Sequence, residues 1–147
     1  MPRLTPRQAL TAIWCFLLAA VFCPSLVSGD EKRVVPAGYI EAQEALAADD
    51  LSKARRAMEA LAKESGPDLM KLLREAAGAE DIEKMRKAFA AVSDYVVSNM
   101  ELPAGHSVAH CPMFGKSGAS WVQKTGEVAN PYYGASMLRC GTIKQKR

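Results

Sequence analysis

The sequence predicts a mainly α protein: an antiparallel bundle of about four helices with a small irregular or β-hairpin lobe at its C-terminal end. Three observations predict it. Apolar residues recur at helical spacing through residues 36–103. Glycines from Gly105 to Gly141, with Pro112 and Pro131, break up residues 104–143. A length of 147 residues, 24% of them charged and 49% hydrophobic, suits one ordinary domain rather than a disordered or fibrous chain.

An export signal is expected first. Arg3 and Arg7 precede an apolar run from Ala9 to Phe22 that only Thr11 interrupts. The run is shorter than the roughly 20 apolar residues of a membrane span and matches the core of a secretory signal. Val27 and Gly29 are small at the −3 and −1 positions, which places cleavage after Gly29. The reading is a signal peptide over 1–29 and a single domain over 30–147. Bulky Phe22 argues against lipidation at Cys23, so no stable membrane anchor is expected after cleavage. The expected location is the bacterial periplasm or cell exterior, where disulfides persist. Removing 29 of the 147 residues leaves 118, with Cys111 and Cys140, and with 17 basic residues against 16 acidic ones. Near-neutrality and export together argue against nucleic acid as a partner.

The helical part then reads in order. Tyr39 to Leu46 contains strong helix formers, and Asp49 or Asp50 can cap the segment that follows. In that segment Leu51, Ala54, Met58, Leu61 and Ala62 form one stripe. Ser65-Gly66 ends it, and Pro67 suits the first turn of a third helix bearing Leu69, Leu72, Leu73 and Ala76. Gly78 breaks the third helix. Asp81 starts the longest one, with Ile82, Met85, Phe89, Val92 and Val96 on one side, and Pro103 and Gly105 stop it. Charge runs such as Lys53-Arg55-Arg56 read as solvated helix faces.

Residues 104–143 differ in composition and carry the chemistry. Ala119 to Lys124 and Glu127-Val128 read as two short strands around Gly126, Asn130 to Gly134 as a turn, and Ala135 to Arg139 as one helical turn. Residues 144–147 read as a basic tail. His106, His110, Cys111, Met113, Met137 and Cys140 all fall here. Thiolate, thioether and imidazole are soft or borderline donors, which favour Cu(I) or Ag(I) with Zn as competitor. No carboxylate stands among them, which argues against Ca or Mg. Two cysteines in an oxidising compartment fit a Cys111–Cys140 disulfide equally, worth about 3–4 kcal/mol on the chain-entropy model. Both readings stay open. Trp121 is expected to pack the lobe, and Tyr132 and Tyr133 to fill a turn. No phosphate loop, dinucleotide fingerprint or Cys-x-x-Cys pair appears, so no enzyme is expected.

Three stretches also carry a resemblance: His110-Cys111-Pro112-Met113, Gly118 to Gln123, and Asn130-Pro131-Tyr132-Tyr133-Gly134 through Met137 to Cys140-Gly141. Together they resemble a secreted bacterial domain of uncharacterised function. That domain is found alone or at the C-terminus of periplasmic adaptor subunits of heavy-metal efflux pumps of the resistance-nodulation-division type. The similarity runs from about Tyr39 to Ile143. It implies a copper or silver context, periplasmic efflux components as partners, and Cys111, Met113, Met137 and Cys140, with His110 beside them, as the metal-binding candidates.

Overall fold

In a computed structural model, residues 33–144 are described. The expected signal peptide and the last three residues of the tail lie outside them. Four helices come first: α1 (Ala37–Ala47), α2 (Leu51–Glu64), α3 (Pro67–Ala77) and α4 (Ile82–Asn99). Local chemistry sets their ends. Asp50 and Asp81 each turn a carboxylate oxygen back onto the third backbone amide of the next helix, Lys53 at 2.8 Å and Lys84 at 2.7 Å. Pro67 opens α3, where its missing N–H costs no hydrogen bond. Arg55, read as part of a solvated run, instead donates to the carbonyls of Ala77 (2.9 Å) and Ala79 (2.6 Å) and closes the end of α3.

Each helix buries the stripe that its spacing defines. Met58, Leu73, Met85, Phe89, Val92 and Val96 are fully enclosed. Consecutive helices pack on one another, α1 on α2, α2 on α3 and α3 on α4. The N-terminal segment is tied alongside the end of α4 by Val35 N–H to Glu101 O (3.0 Å) and Glu101 N–H to Arg33 O (2.9 Å).

A three-stranded antiparallel sheet follows: β1 (His106–Cys111), β2 (Ala119–Lys124) and β3 (Thr142–Lys144), in the order β2-β1-β3. The expected strand at Glu127-Val128 does not form. The Glu127 carbonyl accepts from the Gln123 side chain at 2.9 Å instead of from a strand partner. The partner of β2 is β1, whose residues look like a run of metal donors in the sequence but alternate as a strand. The helical turn expected over Ala135 to Arg139 is a single 3-10 turn at Gly134–Ser136. Lys144, assigned to the tail, closes β3.

β2 rests on α4 and α1. It pairs only with β1, so its outer edge carries backbone groups without a strand partner. Tyrosines satisfy two of these groups: Tyr39 Oη accepts from Val122 N–H at 3.2 Å, and Tyr132 Oη donates to Ser120 O at 2.8 Å. The Tyr39 hydroxyl also meets Ser93 Oγ at 2.8 Å, inside the helices. An aromatic chain links helices and lobe. Tyr39 stacks on Phe89 with centroids 5.3 Å apart, Phe89 meets Tyr132 at 6.4 Å, and Tyr132 meets Trp121 edge-on at 5.6 Å.

Candidate metal centre

Strand register brings two sulfurs together. Thr142 of β3 lies opposite His110 of β1, which carries Cys140 alongside Cys111, the last residue of β1. Their Sγ atoms are 3.5 Å apart, with no bond drawn between them. Cys111 is fully buried and Cys140 half-buried. Gly141 permits the approach. It holds φ +140, and a Cβ there would sit 2.9 Å from the His110 carbonyl oxygen and 3.1 Å from the Trp121 ring. The hydrogen bond shared with Cys111, then burial, pushes the Cys140 thiol up from its ordinary value.

Buried polar side chains hold this arrangement. Asn130 is wholly enclosed. Its Nδ2 donates to the Cys140 carbonyl at 2.7 Å, its Oδ1 accepts from Tyr132 N–H at 2.8 Å, and its own N–H donates to Leu138 O at 2.9 Å. Gln123 makes four bonds. Oε1 accepts from Trp121 Nε1 and Ala129 N, each at 3.0 Å, and Nε2 donates to Lys124 O at 3.2 Å and Glu127 O at 2.9 Å. Every hydrogen-bonding site of that amide is filled. Gln43 of α1 reaches across to the Ala129 carbonyl at 2.7 Å. Burial, ahead of the Tyr39, Asp94 and Cys111 charges, raises the Tyr132 hydroxyl well above its usual value, so it remains a donor.

A second clamp joins α1, α4 and the turn after Pro131. Asp49 takes the left-handed conformation, φ 59, just past the end of α1. Asp49 N–H bonds Leu46 O at 3.3 Å and Asp50 N–H bonds Ala45 O at 2.9 Å, a reversing cap in which glycine is the usual residue. An aspartate stands there because its carboxylate is used. Oδ2 accepts from Ala135 N–H at 3.0 Å, and Oδ1 pairs with Arg86 Nη2. Arg86 also donates to Pro131 O at 3.0 Å and Leu46 O at 2.8 Å. Gly134, φ +56, fits between them, since a Cβ would fall 2.0 Å from Asp49 Oδ1. The Arg86 hydrogen bond, ahead of that from Ala135, holds the Asp49 carboxyl below its ordinary value.

The other expected donors are placed differently. His110 neighbours Cys111 on a strand, so the two side chains project from opposite faces. Its Nδ1 lies 3.0 Å from Ser120 Oγ, to which Lys144 Nζ also donates at 3.0 Å. His110 thus faces away from the Cys111 thiol and meets Ser120 instead. His106 turns Nδ1 toward Ala104 O at 3.0 Å. Met113 sits in the β1–β2 turn with 62% of its surface exposed, and its carbonyl accepts from Tyr133 Oη at 2.8 Å. Met137 is half-buried, and its carbonyl accepts from Cys140 N–H at 2.9 Å. Among the described residues no three His, Cys, Asp or Glu side chains converge. Pro131 supplies a carbonyl to Arg86, and Trp121 is fully buried.

Asp49, Arg86, Gln43 and Phe114 were not singled out as site residues by the sequence, and Gln123 entered only within a longer motif. Asp49 left a trace there, as a second acidic residue beside an already sufficient cap. No known family model matches the chain, and neither a curated protein nor a solved structure matches it. No described helix is long and apolar enough to cross a membrane.

Proposed function

We propose that this protein is a non-catalytic binding module for one soft monovalent ion, Cu(I) or Ag(I), held between Cys111 and Cys140. The observation that carries the reading is the 3.5 Å approach of the two sulfurs. Soft d¹⁰ ions accept thiolate pairs readily. Zinc favours four tetrahedral ligands, with zinc–sulfur bonds of about 2.3 Å, so a two-thiol site disfavours it as the competitor. Admitting an ion needs the sulfurs to part by side-chain rotation, with β1 and Asn130 holding the backbone. Both thiols lose a proton on binding, and two thiolates on a monovalent ion leave one negative charge. Met113 and Met137 flank the pair in sequence and supply thioethers where a third donor is taken.

The expected signal peptide and the family resemblance support a periplasmic or secreted module that collects or hands over metal near heavy-metal efflux components. The short connections between helices support an antiparallel bundle as its frame. Anaerobic titration of reduced protein with Cu(I) against a moderate chelator tests the reading. One ion per chain is expected, with uptake lost in Cys111→Ser and in Cys140→Ser. No uptake by the reduced protein sinks the proposal. The same sulfur proximity favours a second reading, a structural Cys111–Cys140 disulfide. Intact mass after thiol alkylation separates the two, because two free thiols in freshly isolated protein exclude the staple.

A further inference from the structure

We propose that the cleft between α4 and the loops bearing Phe114 and Tyr133 is a binding site for a small planar monocarboxylate, separate from the thiol pair. The cleft has a volume of about 570 Å³, within the usual range for small-molecule sites. Its wall is aromatic. Phe114 stacks on Tyr132 at 4.4 Å and 21°, and Tyr133 meets Phe114 edge-on at 5.9 Å and 81°. Such a wall favours a flat apolar body.

The polar anchor is Arg86. Its side chain is only 9% exposed, yet it lines the cleft. Nε and Nη2 are committed to Pro131, Leu46 and Asp49. Nη1 has no acceptor among the described residues. It is not sealed off either, because Ser107 Oγ is the one enclosed side-chain polar atom there without a partner. Arg86 thus brings a solvent-reached Nη1 to a residue on the cleft wall, with donors free for a carboxylate oxygen. Lys87 lies on the same wall with no carboxylate in ion-pairing range among the described residues. Glu83, one turn earlier on α4, repels a second negative charge, which restricts the ligand to a single carboxylate.

Benzoate and benzylamine, one ring with opposite charges, are the probes, followed by amide chemical shifts of the reduced full chain. Saturable shifts at Gly115, Tyr133 and Ser136 are expected with benzoate. Benzylamine should bind at least about tenfold more weakly, a difference of about 1.4 kcal/mol. Lys87→Glu changes an exposed residue and should weaken benzoate by about twofold to fivefold, while Cys140→Ser should leave it unchanged. Equal response to both probes, unsaturable shifts, or loss of binding in Cys140→Ser would overturn the assignment. Failure of Cu(I) uptake would leave this result untouched, so the two proposals fail separately.

Discussion

The helical half and the C-terminal lobe are ordered by different means. In the helices, order comes from stripes of apolar side chains, and residues such as Met58, Leu73 and Val92 make no specific polar contact. Substitution there changes buried area and volume. In the lobe, buried amides and hydroxyls from Asn130, Gln123 and Tyr132 bond to backbone groups that no regular element satisfies. One lost atom there strands a buried partner. The difference teaches where stability and site geometry can be varied apart: the helices set how much the protein withstands, and the lobe sets where the sulfurs lie.

The largest effect belongs to the helical half. Phe89→Ala empties an enclosed aromatic position and should cost about 3–5 kcal/mol in urea unfolding. Cu(I) affinity of the folded protein should change little, and a parallel loss of affinity would break the division. Asn130→Ala strands the Cys140 carbonyl and the Tyr132 amide, at about 1–3 kcal/mol. Here Cys140 should alkylate faster than the stability loss alone explains, and unchanged reactivity would show that the lobe does not depend on this amide. Asp50→Ala removes a helix cap at about 1 kcal/mol and should leave thiol reactivity alone.

The smallest effects depend on pH. Asp49 has a lowered folded value, so its contribution is present above the ordinary carboxyl value of about 3.9 and is lost as pH falls through the lower folded one. Asp49→Asn should flatten the acid limb of the stability curve. Cys140 has a raised folded value, so its contribution is complete below the ordinary thiol value of about 8.5 and is lost as pH rises through the raised one. Its alkylation should set in at higher pH than that of an unstructured thiol.

Helix positions were legible because caps and spacing act locally: Asp50, Pro67 and Asp81 each announce a start within a few residues. The lobe was legible in composition and not in pairing. His106 to Cys111 alternates as a strand, yet its histidines and cysteine read as one cluster of donors, and only strand geometry separates His110 from Cys111. The meeting of Cys111 with Cys140 depends on the register of β3, which three residues specify weakly. Arg86 looked like one more charge on α4, because its acceptors are backbone carbonyls 40 and 45 residues away.

The tyrosine caps on β2 bear on how this chain lives among its neighbours. A bare row of amides recruits any extended polypeptide that passes, and two phenols deny it that foothold. Among the described residues the free side of β3 is another open seam. Thr142–Lys144 is three residues long, exposed and carries a lysine, too brief for a second copy to zip onto. Crowding should therefore leave the protein dispersed, and losing the Tyr132 hydroxyl should cost it solubility before it costs it shape.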